Sequence, residues 1–156
     1  MKTASLIIAG ITALVALTSC GGKHAGTTTN TGVADIAFAK ETFEMLARGD
    51  ATVDPKIDWK TLQSFGVNIG AEYVTYKTEA DQKGFRDGFI TQFSSSFIDQ
   101  GGKLENFANW RVDEADTLKT VVIADSTKGR LKLTVTDRNE TRRLSGIEIV
   151  KQPSPP

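Results

Sequence analysis

The hydrophobic pattern of this chain changes its period at Gly101-Gly102. Before these glycines, apolar residues recur every three or four positions, which is typical of helices with one face on a core. From Lys103 onwards, apolar and polar residues alternate, which is typical of strands with one buried face. Helices followed by strands within one domain predict an α+β fold, with N-terminal helices packed on an antiparallel sheet.

Two long helices are predicted from the apolar spacing. The first ends at Gly49, because glycine suits the left-handed conformation that terminates helices. The second begins at Thr78, with Asp81 as an imperfect capping box, and ends at the glycine pair. The first helix has an apolar face of Ile36, Ala39, Phe43, Leu46 and Ala47. The second has an oblique stripe of Phe85, Phe89, Phe93 and Phe97, joined by Ile90, which we interpret as core, with Phe89 and Phe93 as its anchors.

The segment between these helices is less regular. Residues 53–66 predict a short helix, capped either by Asp54-Pro55 or by Asp58. Trp59 and Leu62 would form its apolar side. Residues 67–77 favour neither a helix nor a strand.

The C-terminal half predicts an antiparallel meander with one wet face. Its strands are indicated by alternation at Ala108, Trp110 and Val112, by the apolar run from Leu118 to Ala124, by Leu131, Leu133 and Val135, and by Ile147 and Ile149. Gly146 indicates a bulge in the last strand.

The N-terminal segment ends in Leu17-Thr18-Ser19-Cys20 and contains the only cysteine of the 156 residues. The apolar run at positions 4–17, preceded by Lys2, is shorter than the roughly 20 residues that a membrane span needs. The arrangement resembles the signal and lipobox of a bacterial lipoprotein precursor. This resemblance implies cleavage before Cys20, its lipidation and anchoring in the cell envelope: at the outer membrane of a diderm cell, otherwise on the extracytoplasmic face of the cell membrane.

These features divide the chain into a signal peptide at 1–19, a lipidated flexible tether at 20–32, a single domain at 33–151 and a disordered tail at 152–156. Acidic and basic residues balance at 19 each without a basic stripe, so nucleic acid is not an expected partner. The expected partners are membrane lipid, through Cys20, and a small amphiphile or an envelope protein. A weak homodimer is also compatible with the sequence.

The order of elements resembles the ketosteroid isomerase and nuclear transport factor 2-like superfamily, and in particular its bacterial lipoproteins. The resemblance covers roughly residues 33–150 and rests on Gly49-Asp50, on Ile57-Asp58-Trp59, and on a Phe-rich helix that precedes the strands. It implies a cone-shaped, cystatin-like fold in which helices and a curved antiparallel sheet enclose a cavity. Enzymes of that superfamily commonly place a His, Asp or Tyr in the cavity as acid or base.

Residues able to perform such chemistry are few in this chain. Its sole histidine, His24, lies in the predicted tether, and the sequence has no Gly-x-Ser-x-Gly motif, P-loop or cysteine nucleophile within the domain. Neither a metal nor a cofactor is therefore expected. Asp58 is either a base or a helix cap, with the cap favoured. Tyr73 and Tyr76 are either proton donors or packing residues with the hydroxyl at the rim.

Arg86 falls in the same helical sector as the phenylalanine stripe. A cation among aromatic rings must reach solvent, pair with a carboxylate or meet an anionic ligand. We favour a structural pair, with Asp58 or Glu72, over a ligand contact. Trp59 and Trp110 either line the same cavity or belong to the core.

Three functions remain open. A non-catalytic, membrane-tethered module that binds an apolar or anionic small molecule, or a protein, is favoured because catalytic groups are lacking. A cavity enzyme of the isomerase or cyclase type would use Asp58 and a tyrosine, and a cavity with an unpaired carboxylate would favour it. An accessory protein would act through its sheet surface, and a filled cone with an apolar outer patch would favour that.

Overall fold

The computed structural model describes residues 30–138 and 141–151. The predictions for the signal peptide, Cys20, His24 and the tail concern residues outside this part of the chain. The helices are α1 (Asn30–Arg48), a 3₁₀ helix (Ala51–Lys56), α2 (Ile69–Tyr73), α3 (Glu79–Asp99) and a second 3₁₀ helix (Leu104–Asn106). The strands are β1 (Gln63–Ser64), β2 (Val67–Asn68), β3 (Ala108–Ala115), β4 (Lys119–Ser126), β5 (Gly129–Arg138) and β6 (Thr141–Val150). The predicted α+β class, with helices packed on a curved sheet, is confirmed.

The sheet has the order β2-β1-β6-β5-β4-β3. Strands β3 to β6 form the predicted antiparallel meander. The short β1 pairs in parallel with β6, with Ser64 opposite Ile147, and the sequence did not predict this strand. The predicted irregularity at Gly146 is present, because Thr134 pairs with Gly146 whereas Val135 pairs with Leu144, which leaves Ser145 as an extra residue.

The wet outer face of the meander is interrupted at β4. Both faces of this strand are buried from Thr120 to Ala124, so Val121 and Ile123 are only 3% exposed. The cross-strand neighbours of Ile123 are Arg111 and Lys132, whose aliphatic stems can cover an apolar side chain while the charges stay in water.

Helix α1 buries its predicted apolar face. Ala39, Phe43 and Leu46 are at most 2% exposed. The helix terminates at Gly49 as predicted, with φ at 71° and its amide donating to the Leu46 carbonyl at 3.0 Å. It begins at Asn30, so the last positions assigned to the tether, 30–32, are helical.

A buried polar contact joins α1 to the sheet. Asp35 is only 4% exposed. Its carboxylate accepts a hydrogen bond from Arg142 Nε at 2.6 Å and another from Thr120 Oγ1 at 2.7 Å. Because Thr120 lies on β4 and Arg142 on β6, one carboxylate fixes the helix across the centre of the sheet.

The helix predicted over 53–66 is wrong in its extent. A 3₁₀ helix ends at Lys56 and is capped by Asp50, whose carboxylate accepts from the Thr52 amide at 2.9 Å; neither Asp54 nor Asp58 is its cap. The chain then runs along β6, where the Asp58 amide donates to the Leu144 carbonyl at 2.9 Å. The open strand edge offers backbone partners, and satisfying them outweighs the local helical preference.

Helix α3 begins and ends as predicted. The Asp81 amide donates to Thr78 Oγ1 at 3.1 Å, and that hydroxyl donates to the Asp81 carboxylate at 2.7 Å. At the other end, the Gly102 amide donates to the Phe97 carbonyl at 2.8 Å. A Cβ atom on Gly102 would lie 2.5 Å from that oxygen, so the close approach requires glycine.

The two long helices differ in what they pack against. Helix α1 packs on β3, β4, β5 and β6, whereas α3 packs mainly on α1 and on the first 3₁₀ helix. Phe43 of α1 connects α3 to the β3 side. Its ring centroid lies 6.2 Å from that of Phe93, 5.9 Å from Phe97, 5.1 Å from Phe107 and 6.5 Å from Trp110.

Replacing Phe43 by alanine tests this arrangement. Because the side chain is 2% exposed and has four aromatic neighbours, we expect Phe43→Ala to lower the free energy of unfolding by about 3–5 kcal/mol, the usual range for a buried phenylalanine. Urea unfolding followed by near-UV circular dichroism measures it. Leu118→Ala, at a site 68% exposed, is the control and should change stability by less than about 0.5 kcal/mol. A loss below about 1 kcal/mol for Phe43→Ala would contradict its central position.

Candidate functional site

An apolar groove of about 670 Å³ lies between α3 and the β1–β6 edge of the sheet. The rings of Phe43, Phe65, Phe89, Phe93, Phe97 and Phe107 line it, together with Ile69 and Ile149. Polar side chains lie among them, at Ser64, Gln92, Ser96, Gln100 and Lys128. A concave site of this volume, mostly apolar with a few polar groups, is typical of small-molecule binding sites, which measure about 300–1,000 Å³.

The groove exists because α3 packs on α1 and leaves space beside the sheet. Positions 89, 93 and 97 follow one another at four-residue spacing, so successive phenylalanines turn gradually from the core towards the groove. Phe93 is 8% exposed, whereas Phe89 and Phe97 are half-buried. The prediction of a core anchor is therefore confirmed for Phe93, but Phe89 is a partly exposed groove residue.

The β1–β2 hairpin places a further ring at the groove. Its turn residues Phe65 and Gly66 both have positive φ, 49° and 81°, which is the pattern of a two-residue hairpin turn. A phenylalanine rarely adopts this conformation. The ring of Phe65 is stacked on Phe93, with centroids 6.0 Å apart and planes 17° apart, yet Phe65 remains 53% exposed. This ring is half covered by the protein and half available to a ligand.

Arg86 lies in a different place from the groove and is held by acids. Its guanidinium binds the carboxylates of Asp54, through Nε at 3.1 Å, and Glu79, through Nη2 at 2.7 Å; Nη1 donates to the Tyr73 hydroxyl at 3.1 Å. The structural pairing expected for Arg86 is present, but Asp58 and Glu72 are not its partners. The hydrogen bond to Glu79, aided by Tyr73 and Asp54, raises the pKa of Arg86 above its ordinary value despite partial desolvation, so the group stays charged.

Asp54 is the residue that the sequence analysis undervalued. Its carboxylate accepts from Trp59 Nε1 at 2.7 Å as well as from Arg86. Trp59 packs on Tyr73 with ring centroids 6.1 Å apart, and the Tyr73 hydroxyl also donates to Gln82 at 3.1 Å. These five side chains form one cluster that joins the 3₁₀ helix, α2 and α3. The sequence indicated Asp54 only as part of a candidate helix cap, Asp54-Pro55.

A second, polar cleft of about 340 Å³ adjoins this cluster. It is lined by Ile57, Asp58, Trp59, Lys60, Tyr73, Thr136, Thr141 and Arg143. Of the six side chains predicted for one cavity, the cleft brings together Asp58, Trp59 and Tyr73. The other three do not line it: Arg86 lies behind Tyr73 in the adjoining cluster, Tyr76 packs on Phe85 with ring centroids 5.2 Å apart, and Trp110 packs on Phe43.

The described part of the chain contains no group of three or more His, Cys, Asp or Glu residues that could hold a metal ion.

Removing the Arg86 side chain should reveal its structural role. Arg86→Ala strands Asp54 and takes a donor from Tyr73, but Asp54 and Glu79 are 32% and 77% exposed and can hydrate. We therefore expect Arg86→Ala to lower the free energy of unfolding by about 1–3 kcal/mol, which is less than the cost of breaking a fully buried ion pair. Arg48→Ala, which removes an exposed pair with Glu44, should cost at most about 0.5 kcal/mol. Equal thermal midpoints for both variants would exclude the structural role.

No protein-family model, curated protein or solved structure matches this chain. The resemblances to bacterial lipoproteins and to the ketosteroid isomerase and nuclear transport factor 2-like superfamily therefore stay predictions.

Proposed function

We propose that this protein is a lipid-anchored protein of the bacterial envelope whose domain binds an apolar small molecule without transforming it. The observation that carries the proposal is the phenylalanine-lined groove, because its exposed rings leave apolar surface that water wets unfavourably. Filling it with a hydrocarbon chain would gain about 0.8 kcal/mol for each buried methylene.

The polar groups of the groove favour an amphiphile over a plain hydrocarbon. Lys128 Nζ donates to the Gln100 carbonyl at 2.6 Å, which holds the ammonium group beside the end of α3. Gln92, Gln100 and Ser96 add neutral donors and acceptors to the same wall. A ligand with an acyl chain and a polar or anionic head would satisfy both surfaces.

The groove chemistry supports binding rather than catalysis. Among the described side chains that line it, Lys128 is the titratable one, and its ammonium is engaged by a backbone carbonyl. Among the described residues that line the groove, no histidine lies beside the two serines of the wall, Ser64 and Ser96. A general base for either hydroxyl is therefore lacking in the groove.

The membrane anchor is the second part of the proposal and rests on the sequence. Leu17-Thr18-Ser19-Cys20 after a short apolar run supports lipidation of Cys20. Within residues 30–138 and 141–151, no helix has the length and apolarity that crossing a bilayer needs. Two or three acyl chains on one cysteine would bind the bilayer stably, whereas a single chain binds only marginally.

An enzyme that uses Asp58 is the second candidate. Asp58 lines the polar cleft beside Tyr73, and its carboxylate has no hydrogen-bond partner among the described residues. An unpaired carboxylate is what such an enzyme needs. The tyrosine fits less well, because its hydroxyl already accepts from Arg86 and donates to Gln82. An accessory role for the sheet surface has less support, since the space beside the sheet is open and Val121 and Ile123 are buried.

Filling the groove with a bulky side chain tests the binding proposal. Ser96 lies in the groove wall, whereas its neighbour Ser95 is exposed outside it. Ser96→Trp should weaken binding of dansyl-undecanoic acid by about tenfold or more, a change of about 1.4 kcal/mol, because the indole occupies the space of the chain. Fluorescence titration of the purified chain gives the dissociation constant.

Ser95→Trp is the matched control, with the same substitution one position along the same helix. It should bind the probe as the parent does. Equal affinities for the parent, Ser95→Trp and Ser96→Trp would mean that the probe binds elsewhere, and the groove would lose its assigned role.

Replacing Cys20 by alanine tests the anchor. The variant cannot receive a thioether-linked lipid, so we expect an uncleaved or soluble exported form. Metabolic labelling with an alkyne fatty acid and fractionation of membranes measure both effects. Labelling of the variant at the parent level, with full retention in the membrane fraction after signal removal, would contradict lipidation at Cys20.

A further inference from the structure

The polar cleft contains a carboxylate that the protein buries without pairing. Asp58 is 7% exposed, and its backbone is fixed on both sides: its amide donates to Leu144 at 2.9 Å, and its carbonyl accepts from the Thr61 amide at 3.1 Å. The carboxylate makes no hydrogen bond or ion pair with any described residue. Placing a charged group in this position costs free energy unless something else supplies the donors.

This carboxylate still has access to the cleft. The side-chain atom that is fully sealed without a partner, among the described residues, is the Thr61 hydroxyl oxygen and not an oxygen of Asp58. The backbone hydrogen bonds hold the main chain of Asp58 in place beside the cleft. A donor that enters the cleft can therefore reach it.

Two cations line the same cleft without pairing. Lys60 and Arg143 are exposed, and neither forms an ion pair with Asp58 or another described acid. Arg143 differs in this respect from Arg48, Arg86, Arg111, Arg130 and Arg142, each of which binds a carboxylate. Opposite charges thus share one cleft without forming an ion pair with each other.

We propose that this cleft binds a small zwitterion that carries a primary ammonium group and a phosphate or carboxylate group. The ammonium donates to Asp58, and the anionic group accepts from Lys60 and Arg143, so the ligand completes both pairs at once. The rings of Trp59 and Tyr73 form an apolar wall for the carbons between the two charges. A volume of about 340 Å³ suits such a compact molecule.

The separation of charges argues for a zwitterion over a simple ion. A lone cation at Asp58 would share the cleft with the positive charges of Lys60 and Arg143, and a lone anion would share it with the buried carboxylate. Each simple ion gains one attraction and keeps one repulsion, whereas a zwitterion gains two attractions. The molecule is either free in solution or the ethanolamine headgroup of a phospholipid, because both present the same two groups.

Isothermal titration of the full chain in phosphatidylcholine nanodiscs tests the proposal, with O-phosphoethanolamine, ethanolamine and inorganic phosphate as probes. We expect saturable binding of O-phosphoethanolamine, about tenfold or more tighter than that of either single-charge probe, because each charged hydrogen bond contributes more than 1.4 kcal/mol. Equal affinity for phosphate and O-phosphoethanolamine, or the absence of binding, would overturn it.

Substitutions identify the residues that bind the two charged groups of the ligand. Asp58→Asn and Arg143→Gln should each weaken O-phosphoethanolamine binding by about tenfold or more. The controls, Asp99→Asn and Lys40→Gln, remove the same charges at exposed sites outside the cleft and should leave the affinity unchanged. If Asp58→Asn unfolds, Lys60→Gln, an exposed site, replaces it with the same expected direction. Parent-like affinity in Asp58→Asn or in both cation variants would refute the assignment.

A last comparison identifies the source of the zwitterion. If a lipid headgroup occupies the cleft, nanodiscs that contain phosphatidylethanolamine should weaken the apparent binding of O-phosphoethanolamine; if a free molecule does, lipid composition should have no effect. The groove is a separate site, so Ser96→Trp should leave O-phosphoethanolamine binding unchanged. Failure at the cleft would thus leave the proposed groove function untouched.

Discussion

The position of the Phe43 ring determines how far α3 stands from the sheet. This side chain belongs to α1, which is fixed on the sheet by its apolar face and by the Asp35 carboxylate. On its other side, Phe43 meets Phe93 and Phe97 of α3 edge-on, with centroids about 6 Å apart. Because α3 rests on α1 rather than on the sheet, the space beside the β1–β6 edge stays open.

A second contact fixes the direction of α3. Ser94 Oγ donates to the Ala47 carbonyl at 3.0 Å in the core, where α1 ends. A Cβ atom on Gly49 would lie 3.3 Å from Ser94, so the two helices approach closely there. In the N-terminal half of α3, Arg86 binds Asp54 of the first 3₁₀ helix and Tyr73 of α2. Helix α3 is therefore anchored at two points, and the phenylalanines between them can face a groove.

The parts of the fold set by local signals could be predicted from the sequence. Helix α3 has its cap at Thr78 and its glycine stop, and strands β3 to β6 have their alternation, so both were predicted correctly. The segment from 57 to 68 was not predicted correctly. Its conformation depends on the edge of β6, which is distant in the sequence. No local pattern reveals that edge.

The candidate site likewise has features that the sequence predicted and features that it did not. The phenylalanine stripe was visible, but its period is the same for a core and for a groove wall. Which rings stay exposed depends on Phe65, placed by a hairpin that the sequence did not indicate. Likewise, Arg86 was recognised as an inward cation, but its partner Asp54 became apparent only when the 3₁₀ helix was placed beside α3. Long-range packing decides both outcomes.

We propose that an acyl chain lies among the phenylalanine rings of the groove. The most direct test is an isotope-filtered NOE measurement between ¹³C-labelled dodecanoate and the full chain in nanodiscs of deuterated lipid. The account predicts cross-peaks from the acyl methylenes to the ring protons of Phe65, Phe97 and Phe107 and to the methyl groups of Ile149. Cross-peaks confined to apolar residues outside the groove, such as Val33, Val74 and Leu118, would contradict it.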